Sequence, residues 1–254
     1  MAVLNSIRQF GIIGYPLSHS FSPGYFKEKF EREGLAHCRY DAFPLPSLAL
    51  LPRLLDENPS LVGLNVTIPY KTAVMEYLHE VSEEAAEIGA VNVIRIENGK
   101  LIGYNSDVYG FEASLRNFLP EPIPSSLKAL VLGTGGAAKA VVFSLKKMGV
   151  SFQLVSRRPS LETIGYEAIT ADLLQAHRLV VNTTPLGMLP DINTCPPIPY
   201  EHATDQHYFF DLVYNPVKTK FLQLAEKAGG HIENGLSMLH LQAERAWTIW
   251  NQKF

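Results

Sequence analysis

Cysteine is nearly missing from this 254-residue chain. Its two copies, Cys38 and Cys195, lie far apart and in no CxxC or Cys/His spacing, which argues against a disulfide framework and a zinc site. No apolar run approaches the length of a membrane span, and Met1 to Phe10 lacks the basic and then apolar segments of a secretory leader. Charge of one sign is scarce as well. The formal net charge of −3 leaves no electrostatic footprint for nucleic acid or an anionic membrane. These absences predict a cytoplasmic protein without metal, nucleic acid or membrane; a small-molecule partner and a monomer or homodimer are expected on other grounds, since the absences fix neither.

What is present is globular. The 46% hydrophobic and 19% charged residues fit one large domain or two modest ones. Arg8 to Gly14 reads as a buried strand running into Gly14-Tyr15-Pro16-Leu17-Ser18-His19-Ser20-Phe21-Ser22-Pro23. Ser22 and Pro23 form an N-cap and N1 proline for a helix carrying Phe26 and Phe30 and stopping near Gly34. Either Ser22 merely caps, or the crowded serines and the free helix N–H groups favour an anion. Arg39 to Phe43 reads as a strand and Leu48 to Leu55 as a helix.

Leu61 to Thr67 alternates apolar and polar residues and is rich in β-branched types, the mark of a strand. Pro69 suits the first turn of a helix, so Asn65 and Thr67 sit at a strand's carboxyl end with Lys71 one turn beyond. Ligands of open α/β sheets bind at that edge. Lys71 is then either an exposed helix lysine or an amine tuned by partial desolvation towards acid/base work. After a helix from about Ser82 to Ile88, Asn92 stands near the start of a strand, and Asn98-Gly99 predicts a two-residue hairpin. Asn105 or Ser106 caps a helix to Leu119 whose first turn holds Asp107, a favourable dipole partner or something more. Three prolines within Pro120 to Pro124 read as a stiff connector approaching a domain boundary, with the preceding helix as a bridge.

Beyond the connector, Lys128 to Leu132 is a short buried strand followed by Gly133-Thr134-Gly135-Gly136-Ala137-Ala138 and an apolar helix. This is G-x-G-x-x-A in the strand-to-helix context of a dinucleotide fingerprint. Gly133 allows the tight turn, Gly135 admits a pyrophosphate, and Ala138 permits close helix–strand packing. At the end of the next strand, Phe152 to Val155, an NAD site wants a carboxylate. The chain offers Ser156-Arg157-Arg158, a choice between solvated arginines and a grip on a 2′-phosphate; the missing acid favours NADP. Strands at Leu179 to Asn182, Tyr208 to Leu212 and His231 to Glu233 follow. A helix from about Lys218 to Ala228 precedes the last of them, and a final helix begins after Asn234-Gly235.

Read together, GYPLSHSFSP (14–23), GLNVTIPYK (63–71), GAVNVI (89–94), GYNSD (103–107), GTGGAAKA (133–140), NTTPLGM (182–188), DLVYNPVKT (211–219) and NGLSMLHLQ (234–242) resemble the shikimate dehydrogenase family over nearly the whole chain. The resemblance implies an α/β substrate domain (1–105 and 237–254) joined by a cleft to a Rossmann-like NADP-binding domain (106–236). It implies NADPH-dependent, reversible reduction of 3-dehydroshikimate to shikimate in chorismate and aromatic amino-acid synthesis.

By position, Ser20 and Ser22 would bind the substrate carboxylate. Thr67, Asn92 and Gln242 would bind ring hydroxyls, Asn65 and Tyr214 would complete the substrate set, and Lys71 would donate or accept the proton beside Asp107. The cofactor would lie on Gly133, Gly135, Gly136, Ala137, Ser156, Arg157, Arg158, Thr183, Thr184, Met188, Leu212, Gly235 and Met238. Three positions depart from the family pattern: Val93 replaces a usual Thr, Ser106 another Thr, and Ser156 a common Asn. A quinate/shikimate dehydrogenase of relaxed specificity and a catalytically silent NADP-binding sensor remain the alternatives.

Overall fold

In the computed structural model, residues 7–18 and 20–252 are described. His19 of the serine-rich motif, the first six residues and the last two lie outside them. Strand β1 (Arg8–Gly14) lies one in from the edge of the first sheet. It pairs in parallel with β2 (Cys38–Pro44) on one side and β3 (Leu61–Val66) on the other. Helix α1 (Ser22–Arg32) connects β1 to β2, and a 3-10 turn (Leu48–Leu50) with α2 (Leu51–Glu57) connects β2 to β3. The short β4 (Glu80–Val81) and α3 (Glu83–Ile88) precede an antiparallel hairpin of β5 (Val93–Glu97) and β6 (Lys100–Tyr104). The order is β2-β1-β3-β5-β6-β4.

The hairpin turns as the sequence predicts. Asn98 and Gly99 both take positive φ, 51° and 77°, which a two-residue primed turn needs. Successive strand residues feed opposite faces. Ile13, Leu64 and Ile94 join one apolar cluster with Leu51 and Val74. Phe10 and Val93 join a second with Phe26, Phe30 and Trp250.

The second sheet is wholly parallel. It comprises β7 (Lys128–Leu132), β8 (Ser151–Val155), β9 (Thr163–Ile164), β10 (Leu179–Asn182), β11 (Tyr208–Asp211) and β12 (His231–Glu233), in the order β12-β11-β10-β7-β8-β9. Its helices are α4 (Asp107–Phe118), α5 (Gly136–Lys147), α6 (Ala171–Ala176) and α7 (Lys220–Lys227), with the part of α8 (Leu236–Asn251) up to Gln242. Strand order reverses between β7 and β10, the doubly wound arrangement whose crevice at the carboxyl ends receives ligands. Alternation again fills both faces, with Val131 and Val181 on one and Leu130 and Val180 on the other.

Contacts divide the chain into two units, one up to Ser106 plus Ala243 onward, the other Asp107–Gln242. Residues 237–242, expected with the first domain, group with the second unit. Helix α4 belongs there too, because Phe111, Leu115 and Leu119 bury against Ala129 and Val131. The proline-rich stretch therefore connects two elements of one unit rather than two domains.

Two local expectations are corrected. Ser22 is the first residue of α1, not its cap; Phe21 occupies the cap position without a side-chain bond. Pro69 does not open a helix. Residues 68–72 turn, and a 3-10 segment forms only at Ala73–Tyr77.

Candidate active site

At the carboxyl edge of the first sheet, the chain crosses from β3 into the turn that carries Lys71. Thr67 N–H donates to the Ile13 carbonyl at 2.9 Å, and Tyr70 N–H to the Thr67 carbonyl at 2.9 Å. Gly14 is required beside them, since a Cβ there would meet Thr67 Cγ2 at 2.4 Å. Tyr70 is buried and its hydroxyl donates to the Leu45 carbonyl at 2.6 Å. On its other side, the Lys71 carbonyl accepts from Val91 N–H at 2.7 Å. The Lys71 backbone is thus held at both flanks, with its side chain half-buried.

Below this edge runs a connected set of polar side chains. The Tyr40 hydroxyl, which Ser22 neighbours, donates to Asn65 Oδ1 at 2.7 Å. Asn65 Nδ2 donates to the Asn92 carbonyl at 3.4 Å. Asn92 Nδ2 donates to Ser106 Oγ at 3.0 Å, and Ser106 N–H donates to Asn92 Oδ1 at 2.7 Å. Burial pushes the Tyr40 phenol well above its ordinary range, with Ser22 pulling the other way. So three expected substrate residues, Ser22, Asn65 and Asn92, are brought together, and each is buried. Ser22 does not cap α1 because it is already the first helical residue. Val93 packs fully buried among Phe10, Phe26 and Trp250.

Ser20 and Thr67 are half-buried, as are Gln242 and Tyr214. Asp107 is buried at the start of α4, one turn before Gly110. A Cβ on Gly110 would lie 2.6 Å from the Met238 carbonyl and 3.1 Å from Gln242 Cβ. Residues three apart share a helix face, so Asp107 lies on the face of α4 that meets the Met238–Gln242 turn of α8.

In the second unit, Gly133 follows β7 with φ +112°, and a Cβ there would sit 2.6 Å from Thr183 Oγ1. Gly135 differs: nothing lies within 4 Å of its would-be Cβ, and it caps α5 without a side-chain bond. The first N–H groups of α5 therefore face open space, the condition for receiving a phosphate. Beside them is a cavity of about 380 Å³ lined by Thr134, Lys139, Ser156, Arg158, Ser160 and Glu162 among others. Arg158 N–H donates to Ser156 Oγ at 3.1 Å. Arg157 is exposed and does not line the cavity. Lys139 and Glu162 were not anticipated. Lys139 could have been, because it lies in the first turn after the glycines.

At the ends of β10 and β11, Asn182 and Asp211 stand in register, both fully buried. Asp211 Oδ1 accepts from Asn182 Nδ2 at 2.9 Å and from Val213 N–H at 3.0 Å, and Oδ2 accepts from the Thr219 hydroxyl at 2.5 Å. Asn182 Oδ1 accepts from Thr184 N–H and its hydroxyl at 3.0 and 2.7 Å. Burial pushes the Asp211 carboxyl up to about 6, against those donors. Gly235 packs so closely on Leu212 that a Cβ would strike its carbonyl oxygen at 2.1 Å. Thr183, Thr184, Leu212 and Gly235 thus gather around one strand edge. Met238 is buried in the core of the same unit, and Met188 is exposed. An open helix N-terminus, a cavity with two cations and a row of polar strand ends can hold an extended anionic ligand.

Comparison with known proteins agrees. The family description "Shikimate dehydrogenase substrate binding domain" matches residues 12–94. The shikimate dehydrogenase (NADP+) of Carboxydothermus hydrogenoformans is 37% identical, covering 94% of this chain and 90% of its own. The chain belongs to the shikimate dehydrogenase family. That of Methanococcus maripaludis is 36% identical over 96% of this chain and 91% of its own. The crystal structure of the Thermus thermophilus shikimate 5-dehydrogenase, in complex with NADP(H) and shikimate, superposes with a TM-score of 0.84 at 34% identity, covering 96% and 93% of the two chains. The family's substrate-domain match runs from β1 into β5, and so takes in the edge that carries Thr67, Lys71 and Asn92.

Proposed function

We infer that this protein is an NADP-dependent shikimate dehydrogenase, reducing 3-dehydroshikimate reversibly to shikimate on the route to chorismate. The observation that carries the reading is the near-full-length likeness to an enzyme solved with both NADP(H) and shikimate. The polar edges of both sheets support it. When bound, the reduced nicotinamide supplies a hydride to the ring carbonyl carbon.

Lys71 is the proton donor to the developing alkoxide and the base in the oxidative direction, working with Asp107. Its backbone is held through Val91 and the neighbouring Tyr70, which fixes where the side chain starts, and positioned proton transfer contributes about 10²–10⁴-fold. Ser20 and Ser22 bind the carboxylate, and Thr67, Asn92, Gln242 and Tyr214 bind the ring. Asn65, bonded to Tyr40 and to the Asn92 carbonyl, holds Asn92 in position. The open Gly135 backbone takes the pyrophosphate with Gly133, Gly136 and Ala137. Arg158 and Lys139 take the 2′-phosphate, assisted by Ser156 and Arg157. Thr183, Thr184, Met188, Leu212, Gly235 and Met238 hold the nicotinamide half.

One observation favours a second, relaxed reading. Glu162 lines the same cavity as Arg158 and Lys139, and a carboxylate there can accept from the 2′-hydroxyl of NAD. The shikimate 5-dehydrogenase of Listeria monocytogenes, 26% identical at a TM-score of 0.80, was solved with shikimate and NAD. The deciding experiment follows nicotinamide absorbance with shikimate and quinate, each crossed with NADP and NAD. Turnover chiefly with shikimate and NADP is expected. Equal turnover with NAD or quinate would replace that reading with the relaxed one. Binding of NADP without turnover in any pair would leave a silent sensor.

A further inference from the structure

Asp211 is a buried anion that the mechanism above does not use. Its partners are an amide, a backbone N–H and a hydroxyl, all neutral, and among the described residues it forms no ion pair. An unpaired buried carboxylate is costly, and a neutral amide of the same shape would fit. In an asparagine at 211, the oxygen could occupy the Oδ1 position and keep the bonds from Asn182 and Val213. The amide nitrogen could then face Thr219, whose hydroxyl can accept as well as donate. The network itself thus needs no charge.

The charge sits at the carboxyl ends of β10 and β11. This is the side of the strand-order reversal opposite the α5 glycines and the Lys139–Arg158 cavity. A dinucleotide spanning the reversal places its second half here. The loops that emerge, 183–188 and 212–217, are the ones assigned to the nicotinamide, and Asp211 is bonded to the start of the second and, through Asn182, to Thr184. The nicotinamide ring carries a positive charge when oxidised and none when reduced. We propose that Asp211 is a redox-state discriminator: its buried carboxylate holds NADP+ more tightly than NADPH and so biases the bound cofactor towards the oxidised form. The inference rests on the dinucleotide reading above. It adds a residue that acts through its field, without touching the ring.

The test compares dissociation constants for NADP+ and for NADPH at pH 8 in the full chain and in Asp211→Asn, by calorimetry and nucleotide fluorescence, with no substrate present. Removing the charge should weaken NADP+ relative to NADPH by a factor on the order of 10, the size Coulomb's law gives unit charges roughly 10 Å apart at an effective dielectric of about 20. Asp211→Ser, whose hydroxyl can still accept from Val213 N–H, should move the ratio the same way and serves if the asparagine variant folds poorly. Thr219→Val keeps the charge and should leave the ratio in place, even if it lowers both affinities together. Equal weakening of both forms in Asp211→Asn and Asp211→Ser would mean a structural role only and overturn the proposal. An unmoved ratio with unmoved affinities would overturn it too. If the parent chain bound neither nucleotide, the dinucleotide reading itself would fall, a result distinct from an unmoved ratio.

Discussion

In the proposed reaction Lys71 carries the chemistry most directly, so its loss gives the sharpest kinetic signature. Lys71→Ala is expected to cut kcat by about 10²–10⁴-fold with a much smaller change in shikimate KM, measured by steady-state absorbance. Comparable losses in affinity would reduce Lys71 to a binding residue. Glu162 gives the second residue-level prediction. Glu162→Gln should shift preference further towards NADP by roughly threefold to tenfold, since it removes an anion from the cavity proposed to take the 2′-phosphate; competition binding of NADP+ against NAD+ reads this out. Asp211 gives the third. Its ordinary value is 3.8 and burial raises it to about 6. The folded state therefore binds more protons than the unfolded state between those values, and stability falls as pH rises through the window. The cost at neutral pH is on the order of 3 kcal/mol. Asp211→Asn removes that slope. Urea unfolding from pH 4 to 7 should show the variant gaining on the parent as pH rises, and parallel curves would refute the linkage.

At the level of elements, the glycine turn after β7 makes a separable prediction. Gly133→Ala places a side chain at φ +112° and 2.6 Å from Thr183 Oγ1, so the turn must shift. NADPH affinity should fall tenfold or more, on the order expected for a displaced phosphate loop, while shikimate binding measured by calorimetry stays within about twofold. This turn was legible in the sequence because its strand, glycines and helix are consecutive, as were β1, β10 and the Asn98-Gly99 hairpin. What failed to show were features settled across the sheet. Ser22 reads as a cap because Ser before Pro suits that place, but the helix starts one residue earlier than the pattern suggests, with Phe21 at the cap. The Pro69 turn reads as a helix start until the Val91 and Thr67 bonds that hold it are seen. The two-residue strands β4 and β9 are too short to leave a periodic trace. In the site, the individual residues Lys71, Asn92, Thr183 and Asp211 stand in readable motifs. The Tyr40-to-Ser106 connection and the sharing of one cavity by Glu162 and Arg158 depend on contacts that no local pattern encodes.

Over the whole molecule, each unit has its own sheet and its own apolar clusters, and this separates their responses to ligand. NADP+ at a hundred times its dissociation constant should stabilise the second unit by about 2.7 kcal/mol, and hydrogen exchange should show the gain in β7, β10 and β11. Uniform protection of both sheets would argue against separate units. The first unit has a further peculiarity in its aromatic cluster. Trp250 donates to the Ile94 carbonyl at 3.0 Å, packs with its ring 4.9 Å from that of Phe10, and lies where a Cβ on Gly63 would be. Strand β1 is therefore sealed by a residue about 240 positions later in the chain. On the ribosome, the earlier-made unit must wait with Phe10, Phe26 and Phe30 uncovered until Trp250 has emerged, while the later-made unit can already close. A nascent chain stalled before Ala243 should accordingly be captured by hydrophobic-binding chaperones, and one stalled after Asn251 has cleared the exit should escape them.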